Sequence, residues 1–443
     1  MRVLIVGAGE VGSSIAASLA DGHEVIVVDT DADRVERLTY AVDVLAIEGD
    51  GTDLSTLQEA DVDDADIVIA STDADEVNLA VCATVKTITD SFTIARVKRT
   101  HYLETWNNSR GAFGVDSMVC TDLLSAQAIV RVIGLPTARD VDPFAGGQIQ
   151  MAEVEVPEGS PITNQTVREA DRFEKLTFAA VFRDGDVTIA RGDTVIRAGD
   201  KLVVIGTPNA VRAFAADVSP TQEDVEDVVV VGGSDVGRLL AELLERRGYR
   251  PRLIEQDPAR ARRLAETLPR TTVLEHDATD VSFLEREHVG EADAVVSALD
   301  SDERSLLVSL LAKRLGVDRT IAVVTEPAYV DLFETVGVDV AVNPREVTAE
   351  EITRFTRDQR AENVAILESD AAEVLEIEVD AESALVGRPI SEVVPELSSG
   401  MVIGAIARGN EMITPRGDTV VQEGDHVVVF VHGDDIEEVT RTL

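Results

Sequence analysis

The chain has very little cysteine: of 443 residues only Cys82 and Cys120, both in apolar or mixed surroundings. That excludes a disulfide framework and fits a reducing compartment. Histidine is nearly as scarce. His23, His101, His276, His288, His426 and His432 show no metal-ligand spacing and no shared helix face. No Cys or Ser stands in an elbow or triad setting. Neither a catalytic set nor a metal centre is therefore expected, and the chain reads as no enzyme. No apolar run approaches the roughly 18 residues needed to cross a membrane. The apolar start, Met1 to Val6, runs straight into a glycine turn and is too short for a signal peptide. A cytoplasmic location is expected.

Lysine is scarce as well. Lys86, Lys98, Lys175, Lys201 and Lys313 are the only five among 40 basic residues, against 83 Asp and Glu. The net charge is −43. Such a surface is repelled by phosphate backbones and by anionic headgroups, so neither nucleic acid nor lipid is an expected partner. Acid excess with few Lys predicts a protein adapted to concentrated salt, as in a halophile. There the Debye length falls to about 3 Å near 1 M and self-repulsion on this scale is tolerated. Apolar residues make up 44 %, enough for a large core.

What is present is a duplication. Val6-Gly7 returns as Val231-Gly232, and Arg191-Gly192-Asp193-Thr194-Val195 returns as Arg416-Gly417-Asp418-Thr419-Val420, each 225 residues on. Asp50 and Asp75 are answered by Asp277 and Asp302. One module of about 225 residues therefore occurs twice.

Each module has two parts. In the first copy, apolar runs at Val3–Val6, Val25–Val28, Val44–Ile47, Ile67–Ala70 and Phe92–Val97 alternate with helical patterns such as Val11–Leu19. This predicts βαβ units and a parallel sheet covered on both faces. The second copy repeats it at Val228–Val231, Arg252–Ile254, Thr272–Leu274, Ala294–Ala298 and Thr320–Val324. The later parts alternate apolar and polar residues, as at Ile149, Met151, Val154 and Val156, with turns at Asp184-Gly185 and at 198–200. They predict small α+β domains with half-buried strands. The fold class is thus α/β, with two Rossmann-like domains each followed by a small α+β domain. The expected domains are 1–140, 141–218, 226–357 and 362–443, with boundaries near Asp140–Ala145, Val218–Glu226 and Arg357–Ala372. The acidic Ser219–Glu226 reads as a linker.

Gly7-Ala8-Gly9-Glu10-Val11-Gly12 fits G-x-G-x-x-G between a strand and a helix, the context in which that pattern is informative. Gly7 permits the turn, Gly9 admits a pyrophosphate and Gly12 lets the helix pack on the strand. The helix N-terminus would hold the pyrophosphate. Asp29 ends the second strand, where a carboxylate accepts the ribose hydroxyls and disfavours a 2′-phosphate. NAD(H) is thereby favoured. Asp50, Thr72 and Asp73 are placed at the carboxyl ends of the third and fourth strands, with turn chemistry or helix capping as the plainer role for the two acids. Arg96, near the end of the fifth strand, offers a positive charge for phosphate or a surface ion pair. Glu10 at the helix start is expected to repel the terminal phosphate of ATP, or simply to favour the helix dipole.

The second copy departs from this pattern. Ser234 replaces Gly9 and Val323 replaces Arg96, while Glu255, Asp277 and Asp300 match Asp29, Asp50 and Asp73. Weaker dinucleotide binding is expected there.

Gly7–Gly12, Val27–Asp31, Gly49–Thr52, Thr72–Asn78 and Ile94–Val97 resemble the N-terminal domains of TrkA-type regulators of potassium uptake. Ala312–Gly316, Ala328–Leu332 and Ile403–Asn410 extend the likeness into the second copy. The resemblance implies a tandem RCK (regulator of potassium conductance) architecture, a homo-oligomeric dimer or tetramer ring, and a Trk-type membrane potassium transporter as partner at the inner face of the membrane. It implies nucleotide contacts for Gly7, Gly9, Gly12, Asp29, Asp50, Thr72 and Arg96, with Lys98 as a second basic position. NAD(H) is the expected ligand and ATP or ADP the alternative. An NAD-dependent oxidoreductase is the rival reading.

Overall fold

The computed structural model describes the chain except residues 21, 110, 136–137, 184–185, 221–224, 357–360, 368–371, 382, 398–399, 410, 436–438 and 440–443. The turn expected at Asp184-Gly185 and the middle of the expected linker lie outside the described residues.

The first Rossmann domain runs β1 (Arg2–Val6), α1 (Glu10–Ala20), β2 (Glu24–Asp29), α2 (Ala32–Ala41), β3 (Leu45–Glu48), α3 (Leu54–Glu59), β4 (Ile67–Ala70), α4 (Asp75–Ile88), β5 (Phe92–Val97), α5 (Thr100–Asn108), β6 (Ser117–Cys120) and α6 (Thr121–Ile133). Its six strands are parallel in the order β3-β2-β1-β4-β5-β6. β1 and β4 are buried along nearly their whole length, which is why they read as unbroken apolar runs. The order reverses between β1 and β4, and a crevice opens beyond their carboxyl ends.

The chain then enters a small domain: β7 (Ala138–Phe144), β8 (Ile149–Glu155), α7 (Val167–Ala170), β9 (Leu176–Arg183), β10 (Asp186–Ile189), β11 (Lys201–Gly206) and α8 (Pro208–Val218). Its antiparallel order is β10-β9-β11-β8-β7.

The second copy repeats both. Its Rossmann domain is β12 (Val228–Val231), α9 (Asp235–Arg246), β13 (Arg252–Glu255), α10 (Pro258–Thr267), β14 (Thr272–Glu275), α11 (Val281–Arg286), β15 (Ala294–Ser297), α12 (Asp302–Leu315), β16 (Arg319–Val323), α13 (Val330–Thr335), β17 (Val340–Val342) and α14 (Pro344–Thr356). Its small domain is β18 (Ala361–Leu367), β19 (Ala372–Glu378), α15 (Ile390–Leu397), β20 (Met401–Arg408), β21 (Glu411–Ile413) and β22 (His426–His432). The sheet orders match those of the first copy strand for strand.

Two details correct the sequence reading. β7 runs from Ala138 to Phe144, so the boundary expected at Asp140–Ala145 falls on strand as far as Phe144, and the break at 140/141 lies inside it. The central strands of the small domains, β8, β9, β11, β19, β20 and β22, are also buried on both faces along most of their length, where half-burial was expected, while the edge strand β10 is not. The reason lies in how the copies associate. The chain forms two compact units, 1–130 with 226–356 and 131–225 with 357–443. Each unit joins corresponding parts of the two copies.

In the second unit, Phe144, Ile149, Met151 and Phe182 share an apolar cluster with Val374, Ala407, Val428 and Phe430. One sheet thus buries its outer face on the other. In the first unit, Ala349 and Ile352 of α14 share a cluster with Val11, Ile15 and Leu19 of α1.

The repeated motifs of the small domains are structural. Asp200 is about 1 % exposed and takes a two-pronged bond from Arg183, at 2.7 and 2.6 Å. Asp425 takes the same from Arg408, at 2.7 Å each. Thr194 and Thr419 each accept the N–H of the arginine three residues earlier. Both cysteines are buried, and burial pushes the Cys82 thiol up to about 12 and Cys120 to about 11. They behave as apolar filling and not as reactive thiols.

Candidate functional site

The crevice of the first copy is a cavity of about 840 Å³. Gly7, Ala8, Gly9, Glu10, Val11, Asp29, Asp50, Thr72, Asp73 and Arg96 all line it. Gly12 does not line it; it lies behind the turn.

The glycines differ in what surrounds them. Gly7 has φ of 110° and donates to Val28 O at 2.8 Å. A Cβ on Gly7 would stand 2.9 Å from Thr72 N, and one on Gly12 only 1.8 Å from Gly7 O. Gly9 differs. A Cβ there meets nothing closer than Arg34 Nη1 at 3.7 Å. The protein itself does not require glycine at this position, so the space above Gly9 is open to a ligand. At the matching place in the second copy the Ser234 hydroxyl accepts from Gly237 N–H at 3.2 Å and donates to Ala298 O at 2.8 Å. That side chain caps the helix start that Gly9 leaves uncapped.

Asp29 is buried. Its Oδ2 accepts Ala8 N–H at 2.6 Å and its Oδ1 accepts Asp31 N–H at 2.8 Å, which fixes the carboxylate against the glycine turn. Glu255 does the same for Gly233 and Asp257. Asp50 accepts the N–H and hydroxyl of Thr52, and these bonds hold its carboxyl below the ordinary range. Its own turn thus claims part of Asp50, the plainer role allowed for it above.

Arg96 is 4 % exposed at the crevice floor. Its Nε donates to Thr121 Oγ1 at 3.1 Å, and its Nη1 to Ser71 O at 3.3 Å and Asp73 Oδ1 at 3.5 Å. Burial pulls its pKa down. Burial also works against the Asp73 charge, but Lys98, Arg96 and Arg34 outweigh it and hold that carboxyl below its usual value. Lys98 reaches Asp73 at 3.2 Å without lining the cavity.

Several lining residues were given no site role in the sequence reading, Arg34, Arg37, Val77 and Arg345 among them. Arg34 and Arg37 on α2 face the glycine turn, and Arg34 lies 3.8 Å from Asp29. Their signal was available, since α2 follows Asp29 directly. Val77 only covers the wall, but Asn78 beside it is fully buried and ties Thr72 O to Arg96 O through its amide, at 2.9 and 2.8 Å. Arg345 belongs to α14 of the other copy and pairs with Glu10. No local pattern marks it. This pair meets with a guanidinium the charge of Glu10, the acid expected to repel the terminal phosphate of ATP or to favour the helix dipole.

The second crevice is divided. A pocket of about 150 Å³ and an adjoining one of about 450 Å³ share Ser234, Arg260 and Asp300 as their common wall. Arg304 donates at 3.0 Å to both Gln256 and Asp277, across the place that Val77 leaves open in the first copy. Val323 stands where Arg96 lies in the first sheet. Among the described residues no cluster of His, Cys, Asp and Glu could hold a metal ion, and no helix is long and apolar enough to cross a membrane.

Fold and site define a duplicated chain of two Rossmann domains with glycine-turn crevices, each followed by a small antiparallel domain. The TrkA-N domain model matches residues 3–121 and 228–344, and the TrkA-C domain model matches 151–218 and 374–443. A Trk system potassium uptake protein TrkA homolog of Archaeoglobus fulgidus is 37 % identical over 439 residues, 99 % of both chains. The Trk system potassium uptake protein TrkA of Halomonas elongata is 34 % identical over 444 residues, covering 97 % of this chain and 96 % of the other. The chain belongs to the TrkA family of Trk system potassium uptake proteins. The fold matches the RCK domain of GsuK (TM-score 0.63, 21 % identity, 100 % of this chain and 94 % of the other). It also matches a GsuK channel described as bound to NAD (TM-score 0.63, 21 % identity, 100 % and 78 %).

Proposed function

We propose that this chain is the nucleotide-sensing regulatory subunit of a Trk-type potassium uptake system, binding NAD(H) in the first crevice and gating a membrane potassium transporter. The observation that carries the reading is the open space over Gly9 between Asp29 and Arg96, in a family whose members are named for potassium uptake. Gly9 would let the pyrophosphate reach the start of α1, Asp29 would accept the ribose hydroxyls and Arg96 would supply positive charge from below. A bound nucleotide biases a gate only by its differential affinity for the gate's two states. ADP and ATP share the adenosine half, and a GsuK structure is described as bound to ADP.

The protein works without catalysis in this reading. The described crevice lining contains no His, Cys, Lys or Tyr to move a proton to or from a carbonyl substrate. It acts at the cytoplasmic face as a homo-oligomeric ring docked on the transporter. Its charge suits contact with basic cytoplasmic loops and not with lipid. Calorimetry in molar KCl tests the site: one NADH per chain is expected, displaced by ADP. No binding, or binding untouched in Asp29→Ala, overturns it. Potassium uptake lost on deletion and restored by the intact gene tests the role, and steady turnover of NADH with a carbonyl substrate would install the oxidoreductase instead.

A further inference from the structure

We propose that Arg345, carried by the second copy, is a phosphate-binding residue of the first copy's crevice that exchanges its partner Glu10 for the pyrophosphate of the bound nucleotide. This rests on reading the crevice as a nucleotide site.

Arg345 lines the cavity although its own Rossmann domain has a separate crevice. Its backbone is fixed at the start of α14, where Asn343 Oδ1 accepts the N–H groups of Arg345 and Glu346 at 2.8 and 3.1 Å. Its Nη1 also donates to Thr325 O at 3.0 Å. From that base the guanidinium crosses to Glu10, in the first turn of α1. That turn is where a pyrophosphate would rest. An arriving phosphate meets repulsion from Glu10 and attraction from Arg345 at the same point. A guanidinium binds two phosphate oxygens at least as well as it binds one carboxylate, so the exchange keeps the arginine paired.

The charge balance agrees. Acids outnumber bases two to one in the chain, yet the lining sets Arg34, Arg37, Arg96 and Arg345 against Glu10, Asp29, Asp50 and Asp73. Without Arg345 the acids would prevail. The corresponding position of the first copy carries Asp122, near Asp235, the counterpart of Glu10. At the start of the second copy's glycine-turn helix two carboxylates therefore lie near each other, where the first copy has an acid and a guanidinium. Because α14 packs on α1, the exchange also ties occupancy of one copy to its contact with the other.

The test uses the full chain in molar KCl and NADH calorimetry on the wild type and on Arg345→Gln, Arg345→Lys, Glu10→Gln and Asp29→Ala. Arg345→Gln is expected to weaken binding about tenfold and Arg345→Lys less, the size of one lost charge-assisted contact. Glu10→Gln, which removes the competitor and leaves the helix intact, is expected to tighten it severalfold. The inference is overturned if Arg345→Gln binds within twofold of wild type, or if Glu10→Gln weakens binding, while Asp29→Ala still abolishes it. If Asp29→Ala binds normally, the nucleotide reading itself falls.

Discussion

Asp122 and Arg345 occupy the same position in the two copies and carry opposite charges. Each lies six residues after an aspartate, Asp116 or Asp339, that accepts the N–H and hydroxyl of a threonine on the neighbouring strand. Arg345 pairs with Glu10, whereas Asp122 lies close enough to Asp235 to feel its charge. Burial, with Asp235 and Asp75 adding to it against Lys98 and Arg96, pushes the Asp122 carboxyl up to about 6.

The sign of the consequence is fixed. A carboxyl whose folded pKa lies above its unfolded value stabilises the fold fully only at pH below the unfolded value, and that stability is lost as pH rises through about 6. Asp122→Asn cannot ionise. It should raise stability at pH 7–8 by on the order of 1–3 kcal/mol and converge on wild type near pH 4. Denaturant melts across that range check it. A constant difference at all pH values would contradict the assignment.

The glycines should separate folding from binding. Gly12→Ala places a Cβ 1.8 Å from Gly7 O and should destabilise by ~3 kcal/mol or more. Gly9→Ala meets only the end of Arg34 and should change stability by less than ~1 kcal/mol while weakening NADH binding at least tenfold. Thermal melts beside calorimetry decide this. Equal losses of stability in both variants would refute the division.

Asp29 and Glu255 provide a matched control, since each holds the same two backbone N–H groups of its turn. Asp29→Ala and Glu255→Ala should therefore cost similar stability, about 1–3 kcal/mol each. Only Asp29→Ala should abolish most NADH binding. The reverse order in calorimetry would move the main site to the second copy.

Salt should stabilise the chain. At −43 its self-repulsion is long-ranged near 0.1 M, where the Debye length is about 10 Å, and is cut to contact range near 1 M. The melting temperature should rise steadily from 0.1 to 2 M KCl. A flat or falling profile would separate the acidity from salt adaptation.

The parallel strands were legible because burial on both faces leaves unbroken apolar runs such as Val228–Val231. The glycine turn was legible because strand, turn and helix are adjacent in sequence. β6, β7, β17 and β18 were missed. β6 and β17 are short, and β7 carries Asp140, Asp142 and Pro143 in a segment that looks like a loop. The place of Arg345 in the first crevice could not be read at all, because it arises only when one copy lies against the other. The half-burial expected of the small-domain strands failed for the same reason: alternation tells which face of a strand meets water only if no second sheet covers it.

The pairing of corresponding parts has an evolutionary corollary. A single module associating with itself would form an isologous pair, in which every substitution appears at both sites at once. Glu10 and its counterpart would then have to share one kind of partner. Joining the modules in one chain keeps them together at a high effective concentration and frees each to drift separately. One crevice is lined by a guanidinium from across the seam, and the other carries a serine cap and the Arg304 bridge. Under the proposed function, fusion permits a symmetric pair of equal modules to diverge into one nucleotide sensor and one scaffold.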